Sequence, residues 1–98
     1  MIAVSRRAGV QIKGLVVYFE DLDRMQAAEN LLAALERASE RIVRSPNSGL
    51  PAPRPYPALA RMDFRWIKEG PYWVAYMTGN DPVIAGVYHE AADIPNRI

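Results

Sequence analysis

Apolar residues in the first half of the chain recur with helical spacing. Between Arg6 and Glu20 they stand mostly three or four positions apart, which places them on one face of an amphipathic helix. Ser5 directly precedes this segment and is a suitable N-cap residue. A second segment, Arg24–Arg44, repeats the spacing and predicts a longer helix. The predicted buried positions are Ala8, Ile12, Leu15, Val16 and Phe19 in the first helix and Ala28, Leu31, Leu35, Ala38 and Ile42 in the second.

Short segments before and between the two helices complete this half of the chain. Met1–Val4 is an apolar run with β-branched residues, which predicts a short strand leading into the first helix. Asp23 is followed three positions later by Gln26, a spacing that resembles a capping box. We therefore expect Asp23 to cap the second helix, and the two helices to form a hairpin.

The second half of the chain begins with a loop and continues as three strands. Residues 45–57 hold five of the eight prolines, so neither a helix nor a central strand can pass through them. Alternation over residues 60–67 predicts a strand, and two aromatic or β-branched runs at 72–78 and 83–89 predict two more. In the first of these strands we expect a buried face formed by Ala60, Met62, Phe64 and Trp66. The tail, residues 90–98, is predicted to be irregular or a short turn of helix on the surface.

These elements predict an α+β fold in the order β-α-α-β-β-β. An antiparallel sheet would pack against the two-helix hairpin and leave its other face partly open. The length of 98 residues fits one domain, residues 1–98. No apolar run approaches the roughly 20 residues of a membrane helix, and there is no signal-peptide pattern. We therefore expect a soluble, cytoplasmic protein without a membrane partner.

The charge of the chain restricts any anion-binding surface to a local site. Twelve basic and eleven acidic residues give a formal charge of +1, which argues against a broad cationic face of the kind that binds duplex nucleic acid non-specifically. We also expect no direct sequence-specific DNA binding by this chain alone. Alternation places Arg61 and Arg65 on the face of their strand opposite Trp66. With Arg54 and Lys68 they could form a basic cleft for phosphate. The alternative is an ordinary solvated strand face.

Candidate catalytic chemistry is sparse. His89, the only histidine, ends the last predicted strand beside Tyr88 and could act in proton transfer. With no cysteine and no second histidine, we expect neither a metal site nor a nucleophile triad. The chain also has no glycine-rich phosphate motif, so we expect no nucleotide cofactor.

Four aromatic residues crowd the predicted meander: Tyr72, Trp73, Tyr76 and Tyr88. Because successive residues of a strand point to opposite faces, they cannot all enter one core. We expect some of them to be exposed or covered by a partner.

Taken in order, several sequence pieces resemble the RelE/ParE superfamily of bacterial type II toxin-antitoxin toxins, and most closely its ParE branch. The pieces are the second-helix run Ala27–Leu32 with Leu35–Arg37, the Pro-x-x-Gly helix exit Pro46–Gly49, Arg61, the central strand Tyr72–Tyr76, and the ending Val83–His89 followed by Ala92–Pro95. The resemblance spans nearly the whole chain. Met77, Gly86 and Ala92 stand where such chains commonly carry arginine.

This resemblance implies a toxin that binds DNA gyrase and traps its cleaved complex with DNA. It also implies a cognate antitoxin whose disordered segment folds over the toxin. The residues we expect to contact a target or partner are Arg54, Arg61, Arg65, Trp73, Tyr88, His89 and Asp93.

Two alternatives follow from the same resemblance. One is a ribosome-dependent endoribonuclease of the RelE type, acting on mRNA with Arg61, Arg65, Tyr88 and His89 as catalytic candidates. The other is a toxin fold that has lost its toxicity, as the three missing arginines would allow.

Overall fold

Two helices form the first half of the fold. In the computed structural model, which describes residues 1–98, helix α1 spans Arg6–Asp21 and helix α2 spans Met25–Arg44. The Oγ of Ser5 accepts a hydrogen bond from the backbone N–H of Ala8 at 3.1 Å, so the predicted N-cap is confirmed. Neither helix combines the length and apolarity needed to cross a bilayer.

The connection between the helices differs from the predicted capping box. Asp23 has a φ of 52°, in the left-handed region, and the backbone N–H of Arg24 bonds to the carbonyl of Phe19 at 2.8 Å. With the bond from Asp23 N–H to Glu20 O, this is a Schellman motif that closes α1. The expected cap at Asp23 is therefore wrong, because this residue already serves as the left-handed end of the first helix. Helix α2 has no side-chain cap.

A four-stranded sheet packs against the hairpin. Its strands are β1 (Ala3–Val4), β2 (Phe64–Glu69), β3 (Tyr72–Met77) and β4 (Val83–His89), in the spatial order β1-β4-β3-β2. Strands β2, β3 and β4 form the predicted antiparallel meander, whereas β1 adds to β4 in parallel. The predicted α+β fold is confirmed, with this one parallel pair as the difference.

Strand β2 begins later than the sequence pattern predicts. Phe64 is its first residue and pairs with Met77, the last residue of β3, so the chain before Phe64 has no partner strand. Ala60 is exposed and Met62 is completely exposed. The predicted buried face is wrong at these two positions and holds only at Trp66 and, in part, at Phe64.

Each face of the sheet carries its own hydrophobic core. The helix-side core lies between the sheet and the two helices, and its buried residues are Ala8, Phe19, Ala28, Leu31, Ala34, Leu35, Ala38, Ile42, Ile67, Tyr72, Val74, Tyr76, Ile84 and Val87. The outer core, on the opposite face, consists of Trp66, Trp73, Ala75, Tyr88 and Ile94. Leu50, Tyr56 and Leu59 of the loop pack against it.

The outer core corrects two expectations about the second half of the chain. All four meander aromatics are at most 6% exposed. Tyr72 and Tyr76 pack in the helix-side core, and the proline-rich loop and the tail cover Trp73 and Tyr88 on the second face of the sheet. The expectation that some of them need a partner or solvent is therefore wrong. The tail does contain the predicted short helical turn, at Ile94–Asn96, but its Ile94 side chain is fully buried rather than on the surface.

Candidate functional site

The largest cleft in the molecule is basic and lies beside the outer core. Its cavity of about 600 Å³ opens between the end of α2, the proline-rich loop, strands β2 and β3, and the residue that follows β4. The lining residues are Arg41, Ser48, Leu50, Arg54, Trp66, Ile67, Lys68, Trp73 and Glu90. We call this the basic cleft, because three of the four charged side chains that line it are cations.

The cations of the basic cleft differ in how they are held. One terminal nitrogen of Arg41 donates to the carbonyl of Lys68 at 2.8 Å and lies 3.4 Å from the Glu69 carboxylate, which Arg37 approaches to 3.6 Å. Arg54 is exposed and makes no hydrogen bond or ion pair within the chain. The Arg54 guanidinium therefore keeps all its donors available to a ligand.

Lys68 forms an ion pair with Glu90 at the rim of the cleft. The hydrogen bond and the charge of Lys68 hold the pKa of the Glu90 carboxyl below its usual range. Both side chains remain more than 40% exposed. A pair this open to water is weakly held and exchanges readily for other ions.

Arg65 lies on the opposite face from the one we expected. It belongs to the helix side of β2, where one of its terminal nitrogens donates to the carbonyl of Gly49 at 3.1 Å. The alternation between Arg65 and Trp66 is as predicted, but Trp66 faces the outer core and not the helices. The prediction that Arg65 lines an open basic face with Arg61 is therefore wrong.

Arg61 sits on the turn before β2 and is exposed. Its guanidinium carbon lies 5.0 Å from the centre of the Phe64 ring, a cation–π arrangement. It does not line the basic cleft. Of the four residues in the expected phosphate cleft, only Arg54 and Lys68 are there.

The Pro-x-x-Gly segment owes its form to a tyrosine of the central strand. The Tyr76 hydroxyl donates to the carbonyl of Pro46 at 2.7 Å and accepts from the N–H of Gly49 at 3.1 Å. A Cβ atom at Gly49 would stand 2.5 Å from that hydroxyl. Glycine is thus required by a close approach, and Arg65 adds the third hydrogen bond that fixes the helix exit on the sheet.

Tyr88 and Trp73 are structural members of the outer core. Tyr88 packs against Trp66 with 5.7 Å between ring centres, and Trp73 is 6% exposed at the cleft wall. The Tyr88 ring also lies over Gly86, where a Cβ atom would approach it to 2.8 Å. The resemblance leads one to expect an arginine at position 86. This chain has a glycine there, and the space beside it is filled by the Tyr88 ring. The Trp66 indole N–H is buried without a hydrogen-bond partner.

His89 lies at a groove along α1, away from the basic cleft. Its Nδ1 accepts a hydrogen bond from the N–H of Ala91 at 3.0 Å, and its ring meets Tyr72 edge to face at 5.5 Å. Acceptance at Nδ1 assigns the proton of the neutral ring to Nε2. Asp93, the last predicted contact residue, is exposed and accepts from the side-chain amide of Asn96.

The four catalytic candidates are not brought into one site. Tyr88 and His89 both line the α1 groove, but Arg65 donates to the helix exit on the helix side of β2, and Arg61 is on the turn before β2. General acid–base chemistry on RNA needs these groups within hydrogen-bond reach of one substrate. No group of three His, Cys, Asp or Glu residues is placed to hold a metal ion.

Sequence reasoning missed Arg41 and Glu90 as cleft residues. Arg41 is three positions from the end of α2, where a charged residue is typical of a solvated helix face. The sequence around it does not show that β2 packs beside this part of the helix. Lys68 shares a strand face with Trp66, two positions away, and that spacing is the one signal that could have placed it beside the outer core. Glu90 had no signal, because its position depends on where β4 ends.

Comparison with protein-family models and with curated proteins finds no match to this chain.

Proposed function

We propose that this chain is a toxin of the RelE/ParE type that acts by binding its target and not by cleaving RNA. The observation that carries the proposal is that Arg61 and Arg65 lie apart from the groove that Tyr88 and His89 share. Three of these four residues, Arg65, Tyr88 and His89, are already engaged in packing or in hydrogen bonds to the backbone. The architecture of a helical hairpin on a β1-β4-β3-β2 sheet agrees with the fold that the resemblance implies.

The proposed target is DNA gyrase in its cleaved complex with DNA. Such a complex presents a protein surface next to exposed phosphates, and a protein of net charge +1 with one basic cleft suits it better than free duplex DNA. Gyrase inhibition by binding requires no catalytic group, which fits the sparse inventory of this chain.

The proposed partner is an antitoxin segment that folds along α1. Val10, Val17 and Tyr18 of α1 and Leu22 at its end are each more than 45% exposed. A disordered segment could cover such an apolar row on binding. The meander aromatics, in contrast, need no such cover.

The test is plasmid supercoiling by purified gyrase with increasing amounts of the protein. The expected result is loss of supercoiling together with accumulation of linear, cleaved DNA. Full supercoiling at a large excess of the protein would overturn the proposal.

A parallel assay of mRNA cleavage on translating ribosomes separates the binding mechanism from the enzymatic one. We expect no cleavage by the protein or by a His89→Gln variant. Cleavage that His89→Gln abolishes would establish the endoribonuclease instead.

A further inference from the structure

We propose that the basic cleft binds a phosphate group and that Glu90 is an internal competitor for it, holding Lys68 when no ligand is present. Neither the proposed gyrase inhibition nor an antitoxin is needed for this inference. It rests on the distribution of charge around the cleft and on the way each charged side chain is held.

Positive charge is concentrated at the cleft. Arg41, Arg54 and Lys68 line it against one carboxylate, Glu90, and the Arg37–Glu69 pair next to Arg41 adds no net charge. The local charge of +2 exceeds the formal charge of +1 of the whole chain. The rest of the molecule is therefore slightly acidic, and an anion approaching it is directed to this cleft.

The two carboxylates have different roles. The Glu69 side chain is 14% exposed and lies between Arg37 and Arg41, so it is fixed by two partners. Glu90 is 45% exposed and has one partner, Lys68. An incoming anion cannot displace Glu69 without separating two ion pairs, whereas it can replace Glu90 by breaking one.

The backbone holds Glu90 at the rim of the cleft. Its N–H donates to the carbonyl of Pro71 at 2.7 Å, directly after the end of β4. The carboxylate is thus presented to Lys68 from a fixed position, and only its side chain has to rotate for the cation to be released.

The donors of the cleft suit phosphate. Arg54 offers an unengaged guanidinium, whose planar set of N–H groups matches two oxygens of one phosphate. Arg41, which also lines the cleft, uses only one of its nitrogens on protein acceptors and keeps its other N–H groups unengaged. The cavity of about 600 Å³ lies within the usual size range of small-molecule sites.

The experiment measures binding of inorganic pyrophosphate, a 5′-phosphorylated dinucleotide and the same dinucleotide without its phosphate, followed by amide NMR shifts of the intact chain. We expect both phosphate probes to shift the amides around Arg54 and Lys68. Tighter binding of the 5′-phosphorylated dinucleotide than of pyrophosphate would identify the ligand as a nucleic acid end. Equal binding of the two probes would identify it as a free phosphate. No shift at these residues with either phosphate probe would overturn the proposal.

Two variants that remove charges of opposite sign from the cleft test the role of Glu90. Glu90→Gln is expected to tighten binding of pyrophosphate about two- to fivefold, and Arg54→Gln to weaken it by a similar factor. Glu29→Gln and Arg6→Gln make the same charge changes elsewhere, at the start of α2 and of α1, and control for net charge. If Glu90→Gln has no larger effect than Glu29→Gln, the internal competitor is excluded.

A double variant separates competition from a general electrostatic effect. In a Lys68→Gln background Glu90 has no cation to hold, so Glu90→Gln should no longer tighten binding beyond the Glu29→Gln control. Retention of the full gain in that background would show that Glu90 does not act through Lys68, and would overturn the proposal.

Discussion

The two faces of the sheet are both buried, but they are covered in different ways. Two regular helices cover the helix-side core, which is mostly aliphatic apart from three aromatic residues. A largely irregular loop with one short helical turn, Pro57–Leu59, and the helical turn of the tail cover the outer core, where three of the five buried residues are aromatic. Large flat rings suit the second situation, since each ring fills much of the space that an irregular cover leaves.

Because the two covers differ in this way, we expect them to differ in how easily they detach from the sheet. Helix α2 cannot leave the sheet without exposing a long row of buried side chains, so the helix-side core is expected to open only when the whole domain unfolds. The tail contributes one buried side chain, Ile94, and can detach locally at a smaller cost in free energy.

The largest expected effect compares two isoleucines that are both at most 1% exposed, Ile42 in α2 and Ile94 in the tail. Ile42→Ala is expected to lower the free energy of unfolding by about 2–5 kcal/mol, because it leaves a cavity under a helix that cannot relax. Ile94→Ala is expected to cost about half of that or less, since the loss is limited to the docking of the tail. Urea denaturation measures both values.

Hydrogen exchange provides the control for this pair. Ile94→Ala should speed exchange in residues 90–98 while leaving α2 protected. Equal losses of stability in the two variants, with uniform exchange, would show that both covers unfold as one unit.

A second comparison uses two glycines that approach tyrosine rings. Gly49→Ala is expected to destabilise the fold by about 3 kcal/mol, because the Tyr76 hydroxyl it meets is held by two hydrogen bonds. Gly86→Ala is expected to cost only about 1–2 kcal/mol, since the Tyr88 ring can shift toward its irregular cover. Thermal unfolding gives the order of the two.

Gly14→Ala is the matched control, because an added Cβ there meets nothing within 4 Å in a helix. It should stabilise the protein by about 0.5–1 kcal/mol. A larger loss at Gly86 than at Gly49 would mean that the outer core is the more rigid of the two.

A third comparison removes one hydroxyl from each face. Tyr76→Phe leaves Pro46 O and Gly49 N–H without their partner and is expected to cost about 1–3 kcal/mol. Tyr88→Phe is expected to change stability by less than about 0.5 kcal/mol, because the Tyr88 hydroxyl makes no hydrogen bond within the chain. Equal effects on the urea midpoint would contradict the role assigned to the Tyr76 hydroxyl.

The smallest expected effects are those of pH on the stability of the fold. One titrating group belongs to each face of the sheet: Glu90 at the basic cleft and Tyr72 in the helix-side core. The lowered pKa of Glu90 means that its pairing with Lys68 stabilises the fold above the ordinary value of 4.5, and that this contribution is lost as the pH falls through the lowered pKa. Burial raises the pKa of Tyr72, against a smaller opposing influence of Arg24. The contribution of Tyr72 to stability is therefore fully present below pH 10.0 and is lost as the pH rises through its raised pKa.

Melting temperatures between pH 3 and pH 11 check both signs. Glu90→Gln should flatten only the acid limb of the curve, and Tyr72→Phe only the alkaline limb. Addition of salt should weaken the Glu90 effect, because that ion pair is exposed to water.

The regular parts of the fold could be predicted from the sequence because their signals are local. The 3.6-residue period locates α1 and α2, Ser5 marks the first N-cap, and alternation finds the meander. The same logic fails at Asp23, where a residue type that favours N-caps also tolerates the left-handed conformation of a C-terminal motif.

The candidate site was harder to predict because it depends on irregular segments. Alternation separates Arg65 from Trp66 but cannot say which of them faces the helices when both faces of a strand are covered. That single reversal moved Arg65 out of the expected cleft, while the course of the proline-rich loop brought Arg54 into it. No periodic signal describes such a loop.

The parallel pairing of β1 with β4 has a consequence for the order in which the molecule assembles. Ala3 lies opposite Val83, so the sheet joins residues that are far apart in the sequence, whereas the helical hairpin needs only neighbouring sequence. Contacts between distant residues form late, because the loop between them must first be closed. During synthesis the hairpin can form early, and β1 remains without a partner strand until the final strand has been made.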